Sequence, residues 1–263
     1  MSTDLFVEKG LAGKPIDHCL VIDAHGHIGD CPFFPIIDST MGTVLDSMDR
    51  LGINLFAVSA MPGIFGDAGR GNRLLAEWVE ARPDRFFGYM SVDIGYPERI
   101  APQLERGFAD GLRGIKIYPG SALAPSHPYN HDNYRPVFEF ADAHGLPILA
   151  HTWIDEVDHL RPQFERYPNI TWILAHTGCP CFPKAKEAAR QFGRVYLETC
   201  FSSCPRGLIE ELVAQGFGEK LVWGTDTIFM DPSQQLGRVL FAQIPPADKE
   251  KILGQNAKRA LRL

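Results

Sequence analysis

Short apolar runs alternate with longer segments of mixed polarity along the whole chain. Each run is rich in β-branched and aromatic residues, and the segment after it has apolar residues at helical spacing. The runs are Cys19–Ile22, Leu55–Val58, Phe86–Met90, Gly114–Tyr118, Pro147–Ala150, Thr171–Ala175, Val195–Leu197 and Leu221–Trp223. This alternation is typical of parallel strands joined by helices. Eight strands are the number that a closed α/β barrel requires, so we expect a (β/α)8 TIM barrel.

The segments between the runs carry the start and stop signals of helices. Thr43–Arg50 has one apolar stripe and ends shortly before Gly52, a residue that tolerates the left-handed conformation of a helix cap. The other predicted helices are Leu74–Ala81, Ile100–Phe108, Pro136–His144, Ala185–Phe192, Leu208–Ala214 and Lys249–Leu261. Residues 66–71 are rich in glycine but match no phosphate-binding motif, so we expect a flexible loop there. No linker divides the chain, and we expect residues 1–263 to form one barrel domain.

Polar residues follow several runs at the point where the predicted strand ends. Period-two alternation places Asp23, His25 and His27 on one face at the end of the first strand. The fifth and sixth runs belong to a repeat of five letters, Ile-Leu-Ala-His-Thr, which contains His151 in its first copy and His176 in its second. Because the carboxyl ends of barrel strands converge on one opening, we expect these side chains to meet there.

Asp226 follows the eighth run and adds a carboxylate to the four histidines. Imidazole nitrogens and a carboxylate oxygen around open positions are typical of a catalytic Zn²⁺ site, and Mn²⁺, Fe²⁺ and Ni²⁺ are the alternatives. Taken singly, a histidine at a strand end can satisfy a loop carbonyl, and an aspartate can cap the next helix. The joint occurrence of these residues favours a site for one divalent metal.

Composition and charge exclude several classes of partner. The 263 residues carry 26 Lys and Arg against 32 Asp and Glu, for a net charge of −6, and the basic residues form no run. Nucleic acids and anionic membranes are bound through clustered positive charge, so we exclude both as partners. No apolar run approaches the roughly 18 residues of a membrane span, and the amino terminus lacks a leader pattern, so we expect a cytoplasmic protein.

Five of the six cysteines lie near predicted strand ends: Cys31, Cys179, Cys181, Cys200 and Cys204. Six cysteines in a chain of this length are too few for a disulfide scaffold. A second metal bound by thiolates is one interpretation, but the chain contains no Cys-x-x-Cys pair. We therefore favour a packing role for these small side chains around the predicted site.

The strand-end residues, in this order, resemble the metal-dependent amidohydrolase superfamily. The motifs that carry the resemblance are Asp23-Ala24-His25-Gly26-His27, His151, His176-Thr177-Gly178 and Asp226. The chain most resembles the amidohydrolase-2 branch, which includes hydrolases similar to aminocarboxymuconate-semialdehyde decarboxylase, and residues 83–86, 114–119 and 256–261 also fit that branch. The resemblance implies a TIM barrel in which His25, His27, His151 and Asp226 hold one divalent metal. It also implies that His176 polarises the substrate or acts as an acid or base.

Hydrolysis of a small substrate is the expected reaction. A bound metal lowers the pKa of water from 15.7 to about 7, and the resulting hydroxide attacks an amide, ester or lactone carbonyl. Asp226 then takes the remaining proton and passes it to the leaving group, while His176 or the metal stabilises the oxyanion. The alternative on the same site is a lyase that decarboxylates or hydrates a small carboxylic acid. A metal-free barrel with a binding role is a third, less favoured interpretation.

Lys116 lies on the same predicted strand face as Tyr118 and has two interpretations. In binuclear members of the superfamily a lysine on this strand is carboxylated and bridges two metals, whereas the branch that the chain resembles usually holds one. A charged Lys116 would instead bind a substrate anion or pair with Glu198. Arg73, in the predicted loop after the second strand, is a candidate for binding an anionic substrate group. The resemblance also leaves a homodimer open.

Overall fold

Seven of the eight apolar runs coincide with a strand, and the first strand begins at the last residue of its run. The structure, a computed structural model, describes residues 4–120, 127–200, 205–228 and 230–263. The strands are β1 (Ile22–Ile28), β2 (Leu55–Ala60), β3 (Phe86–Met90), β4 (Gly114–Ile117), β5 (Pro147–Ala150), β6 (Thr171–Leu174), β7 (Val195–Glu198) and β8 (Leu221–Val222). Each pairs in parallel with the next one in the chain, so the expected TIM barrel is confirmed.

The first strand departs from regular alternation. The register of β1 against β2 shifts between Asp23 and Gly26, which marks a β-bulge. An extra residue in a strand turns the side chains that follow it to the other face. Asp23 therefore lines a groove outside the barrel beside Phe56, whereas His25 and His27 line the central cavity. The prediction that all three side chains share one face is wrong for Asp23.

The barrel closes between β1 and the residues that follow the short β8. The backbone N–H groups of Thr225 and Asp226 both donate to the carbonyl of His25, at 3.1 and 2.8 Å. The Asp23 carboxylate accepts from the backbone N–H of Thr225 at 3.1 Å and from its hydroxyl at 2.5 Å. Asp23 thus ties the first strand to the last.

The helices surround the barrel. They are α1 (Leu5–Leu11), α2 (Met41–Leu51), α3 (Met61–Phe65), α4 (Ala68–Ala81), α5 (Pro97–Ala109), α6 (Arg135–His144), α7 (Glu156–Arg166), α8 (Phe182–Gln191), α9 (Leu208–Ala214), α10 (Pro232–Leu240), α11 (Pro246–Glu250) and α12 (Asn256–Leu261). Every predicted helix is present, although a π turn divides the last one into α11 and α12. The helices α1, α3, α7 and α10 were not predicted. Within the described ranges no helix is both long and apolar enough to cross a membrane.

The glycine-rich segment 66–71 begins a helix, so the expectation of a flexible loop is wrong. The Asp67 carboxylate caps α4 by accepting the backbone N–H of Arg70 at 2.8 Å. Gly71 lies against α3, where a Cβ atom would come within 2.4 Å of the Gly63 Cα. The glycines here permit two helices to approach closely, which a pattern of single residues does not reveal.

Side chains inside the barrel are apolar except near its carboxyl-terminal end. The inner layer comprises Ile22, Ala24, Ala57, Phe87, Tyr89, Leu149, Ile173, Ala175 and Val222. Ala257, Ala260 and Leu261 of α12 pack against this layer. Burial of each large apolar side chain contributes roughly 1.5–3 kcal/mol to the stability of the fold. The layer is therefore a stable support for the polar residues above it.

The amino-terminal end of the barrel holds a buried lysine, Lys249. Its Nζ donates to Asp4 Oδ2 at 2.6 Å and to the carbonyl of Leu240 at 2.6 Å. Nearby, the Asn256 side chain donates to the carbonyl of Leu221 at 2.6 Å. These bonds fasten α1, α10 and α12 to the amino-terminal end.

Candidate active site

The carboxyl ends of the strands surround a cavity of about 210 Å³. Its floor consists of ionisable side chains, namely His25, His27, Lys116, His151, His176 and Asp226. Its wall consists of apolar and aromatic side chains, namely Phe34, Met61, Ile64, Phe65, Tyr118, Trp153 and Met230. The four histidines and the aspartate singled out in the sequence therefore line one cavity.

The two histidines of β1 approach Asp226. The distance to Asp226 Oδ1 is 3.4 Å from His25 Nε2 and 3.0 Å from His27 Nε2. Gly26 separates the histidines and faces away from the cavity, where a Cβ atom would lie 2.0 Å from Cε2 of Phe56. Glycine thus lets β1 pack against Phe56 while the flanking imidazoles point into the cavity.

Asp226 presents its carboxylate from a left-handed backbone conformation, with a φ of 59°. This conformation is uncommon outside glycine, and the bonds that close the barrel hold it. Burial alone would raise the pKa of the Asp226 carboxyl, but the neighbouring imidazoles of His25 and His27 hold that pKa well below its usual 3.8. The carboxylate is therefore ionised and can act as a ligand.

His176 and His151 complete the floor from the ends of β6 and β5. Nδ1 of His176 is 2.9 Å from the carbonyl oxygen of Cys200. Because a carbonyl only accepts, that nitrogen carries a proton, and in the neutral ring Nε2 then has the lone pair. The His151 ring centroid lies 5.0 Å from that of His176 and 4.7 Å from that of Tyr118. The repeated pentapeptide thus places two imidazoles side by side.

The donor groups in the floor fit a divalent metal. Burial lowers the pKa of His25, His27 and His151, which favours the neutral imidazole that binds metals. The ligand atoms of His25, His27 and Asp226 all lie within 4.8 Å of one another. Two imidazole nitrogens and a carboxylate oxygen at such spacing are a common donor set for divalent transition metals.

Lys116 lies in the floor, as its position on β4 predicted. Its side chain is buried, and its Nζ is 3.0 Å from Nε2 of His25. Burial lowers the pKa of Lys116 from 10.5 to about 8. Carboxylation and anion binding both stay interpretations of this lysine.

Glu198, which the sequence suggested as a possible partner of Lys116, lies behind the histidines. It is fully buried at the end of β7 and is not among the residues that line the cavity. Its Oε2 accepts from Nδ1 of His25 at 3.0 Å and from the backbone N–H of His176 at 3.1 Å. The sequence lacked a signal for these contacts because they join residues on three different strands.

Among the described cysteines, Cys200 alone joins a group of possible metal ligands, together with His25, His176 and Glu198. Cys179 is buried, whereas Cys31 and Cys181 are partly exposed. Cys204 lies outside the described residues. Within the described chain, the cysteines therefore do not form a cluster of several thiols.

Arg73 lies apart from the cavity. It is exposed on α4, where it lines an outer groove with Glu77, Arg106 and Asp110. The predicted loop position is wrong because α4 begins before this residue, and the helix turns the arginine outward. The structure therefore does not bring Arg73 together with the other predicted site residues.

Comparison with known proteins gives curated relatives that match most of the chain. The gamma-resorcylate decarboxylase of Polaromonas sp. strain JS666 is 24% identical over 250 residues, which cover 74% of this chain and 76% of the relative. Solved decarboxylases share the barrel. A dihydroxybenzoic acid decarboxylase of the same strain, with bound manganese and the inhibitor 2-nitroresorcinol, has a TM-score of 0.75 at 20% identity, over 93% of this chain and 97% of that one.

A 2,6-dihydroxybenzoate decarboxylase complexed with 2,6-dihydroxybenzoate has a TM-score of 0.76 at 18% identity, over 94% of this chain and 99% of that one. At such identities the structural likeness establishes the fold. The amidohydrolase family model matches residues 22–263, from the first barrel strand to the last residue. This match spans the barrel and every side chain in the floor of the cavity, and the chain therefore belongs to the amidohydrolase family.

Proposed function

We propose that this chain is a metal-dependent decarboxylase of small aromatic hydroxy acids. The lyase alternative from the sequence has the support of the curated relative, which is a decarboxylase. Carbonyl hydrolysis, the main expectation from the sequence, has no corresponding support among the relatives described above.

The observation that carries the proposal is the contrast between the wall and the floor of one cavity. Phe65 and Tyr118 meet edge to face in the wall, with ring centroids 5.4 Å apart, and Trp153 adds a further aromatic surface. Such faces pack well against another aromatic ring. An apolar cavity of about 150 Å³ can hold one benzene molecule, so a cavity of about 210 Å³ fits one ring with small substituents. A ring against this wall directs its polar substituents to the floor.

The metal of this reaction would be held by His25, His27 and Asp226, with His151 as the further ligand that the family resemblance implies. When bound, the metal supplies positive charge that attracts substrate oxygens and stabilises negative charge on them. The sequence favoured Zn²⁺, but the manganese in the solved decarboxylase supports Mn²⁺ for this chain.

Decarboxylation requires a proton at the ring carbon that bears the carboxylate, and Asp226 is the group we propose to deliver it. The ionised carboxylate accepts the proton of a neighbouring ring hydroxyl and then gives that proton to the ring carbon. The bond to the carboxylate breaks, its electron pair stays with the ring, CO₂ leaves, and the ring oxygen that gave up its proton recovers one from solvent. Nε2 of His176, which has a lone pair, accepts a hydrogen bond from a second ring hydroxyl and so orients the ring.

The charges around the cavity limit the substrate to a single carboxylate. Lys116 is the only lysine or arginine among the described residues that line the cavity, and the segments left undescribed contain neither residue type. A second carboxylate would face the apolar wall unpaired, and burying such a charge costs several kcal/mol. We therefore propose monocarboxylic acids as the substrate class.

The test measures products from the Mn²⁺-loaded enzyme. With 2,6-dihydroxybenzoate, we expect equal amounts of CO₂ and resorcinol. A matched diacid, which has one ring hydrogen replaced by carboxylate, is expected to react with a kcat/KM at least tenfold lower. A parallel panel of lactones, esters and amides tests the earlier expectation. Turnover of that panel without CO₂ release from any aromatic acid would contradict the proposal.

A further inference from the structure

Glu198 and Cys200 lie directly behind the floor of the cavity and form a group of four buried side chains with the floor residues His25 and His176. The proposed reaction gives no role to Glu198 or Cys200. We infer that Glu198 is a positioning residue, which fixes the proton of His25 on Nδ1 and thereby makes Nε2 a metal ligand. This inference rests on the metal site of the proposed function, but it is independent of which reaction the metal supports.

Every donor around Glu198 points toward its carboxylate. The backbone N–H of Cys200 donates to Oε1 at 2.5 Å, and the backbone N–H of His176 donates to Oε2 at 3.1 Å. The Cys200 thiol also donates to Oε2, at 3.1 Å. Because backbone N–H groups can only donate, both oxygens act as acceptors. An ionised Glu198 carboxylate can only accept, so Nδ1 of His25, 3.0 Å from Oε2, carries the proton toward it.

The opposite nitrogen of the same ring gives independent support. Nε2 of His25 is 3.0 Å from the Lys116 Nζ. A lysine ammonium has donors only, so the nitrogen that faces it has a lone pair. The shorter contact on each side of the ring thus favours the same tautomer, with the proton on Nδ1 and the lone pair of Nε2 in the cavity; Asp226 Oδ1, an acceptor that also faces Nε2, is farther away at 3.4 Å.

Glu198 also holds the turn that presents His176. The turn has left-handed backbone at His176, with a φ of 60°, and at Thr177, with a φ of 53°. Such conformations cost energy in residues other than glycine and persist only when their surroundings hold them. The Glu198 carboxylate accepts the backbone N–H of His176, and its carbonyl accepts the Thr177 hydroxyl at 2.7 Å. One residue therefore positions two imidazoles of the floor.

A carboxylate behind a metal-binding histidine orients the ring and raises the basicity of the ligating nitrogen. Loss of such a partner typically lowers metal affinity about 10- to 100-fold. In Glu198→Gln, an amide NH₂ group, which donates hydrogen bonds, replaces one carboxylate oxygen. The NH₂ group then faces another donor, either the Cys200 N–H or the donors around the Oε2 position, so the proton of His25 is no longer confined to Nδ1.

The experiment measures Mn²⁺ binding and the tautomer, and it does not depend on decarboxylation. We expect the Kd for Mn²⁺, from titration followed by electron paramagnetic resonance, to rise at least tenfold in Glu198→Gln. In the metal-free wild type, ¹⁵N NMR should show a proton on Nδ1 of His25, with the signal assigned through a His25→Gln variant. In Glu198→Gln this signal should shift toward the tautomer that is protonated on Nε2.

Matched variants separate positioning from general loss of structure. Glu156→Gln makes the same change in a carboxylate that accepts the backbone N–H of Trp153 at 2.5 Å, and it should keep the Kd within twofold of wild type. Cys200→Ser retains a donor toward Glu198 and should bind Mn²⁺ as the wild type does, whereas Cys200→Ala should bind it several-fold more weakly.

Three results would overturn the inference. One is a wild-type His25 that carries its proton on Nε2, a measurement that holds even if Glu198→Gln fails to fold. Another is an unchanged Kd in folded Glu198→Gln. The third is a second equivalent of Mn²⁺ that is lost in both Glu198→Gln and Cys200→Ala, because Glu198 and Cys200 would then be ligands themselves. An inactive enzyme that shows the expected tautomer and affinities would instead count against the proposed reaction alone.

Discussion

The two ends of the barrel bury charged groups in different ways. At the amino-terminal end, Lys249 lies between the Asp4 carboxylate and the Leu240 carbonyl, so one cation meets one anion and a second acceptor. At the carboxyl-terminal end, Lys116 and Asp226 share a crowded floor with four histidines. In the first arrangement each charge has a partner within the protein, whereas in the second several potential ligand atoms point into one cavity.

This difference separates stability from chemistry within one barrel. A paired buried charge holds elements together, and breaking the pair by removing one partner is costly. A group of ligand atoms directed at one point is held by the rest of the fold and is available to bind a metal and a substrate. Changes at the carboxyl-terminal end should therefore affect activity first, and changes at the amino-terminal end should affect folding first.

The largest effect is expected from Asp226→Asn. The amide keeps the shape of the side chain but cannot carry the proton of the proposed reaction, so kcat at saturating Mn²⁺ should fall about 10³-fold. Thermal unfolding should show a melting temperature no lower than that of the wild type. Asp231→Asn, which changes a carboxylate that caps α10, is the control and should keep kcat within twofold. A folded Asp226→Asn enzyme with near-normal kcat would remove Asp226 from the chemistry.

Lys249→Met tests the amino-terminal end of the barrel. It removes the buried ammonium and leaves Asp4 and the Leu240 carbonyl without this donor, so the free energy of unfolding should fall by about 3 kcal/mol. The Kd for Mn²⁺ and the kcat of the folded fraction should stay within twofold of wild type. Urea denaturation and Mn²⁺ titration check the two halves of this prediction. A large rise in Kd would show that the two ends are coupled.

Gly26→Ala should affect both stability and metal binding. The added Cβ would lie 2.0 Å from the Phe56 ring, so β1 or the ring must shift, at a cost of about 2 kcal/mol. Since Gly26 lies between His25 and His27, Mn²⁺ affinity should fall as well. Gly42→Ala is the control, because no atom lies within 4 Å of the Cβ position at that glycine. Unfolding and Mn²⁺ titration on both variants measure the difference, and a stable variant with normal affinity would contradict the steric argument.

The smallest effect is the dependence of stability on pH at the amino-terminal end. Partial burial would raise the pKa of Asp4, but the hydrogen bond from Lys249 and its positive charge bring it below the usual 3.8. A carboxyl whose pKa is lower in the folded state stabilises the fold above its unfolded pKa, and this stabilisation is lost as the pH falls through the folded value. Asp4→Asn should therefore lower the melting temperature at pH 7 and make little difference near pH 2. Asparagine also caps helices, so the comparison isolates the charge.

Several parts of the site follow from local pattern, and others depend on contacts between distant segments. His25, His27, His151, His176 and Asp226 could be found because parallel strands end at one opening and each residue follows an apolar run. The placement of Asp23 could not be found, since a β-bulge changes the alternation and no residue in the sequence marks it. Lys116 was placed on the inner face, but its distance from His25 depends on two strands that are not neighbours.

The amino-acid sequence by itself determined the barrel, the order of its strands and the identity of the ionisable side chains in the cavity, because strand and helix periodicity are local properties of the chain. Only the tertiary structure determined which of those side chains are joined by hydrogen bonds. Glu198 is the clearest case: its position at a strand end was evident, but its contacts with His25 and His176 exist only after three strands have come together. For Arg73 the tertiary structure removed a predicted contact instead of adding one. Because α4 begins before this residue, its side chain points away from the cavity and toward solvent.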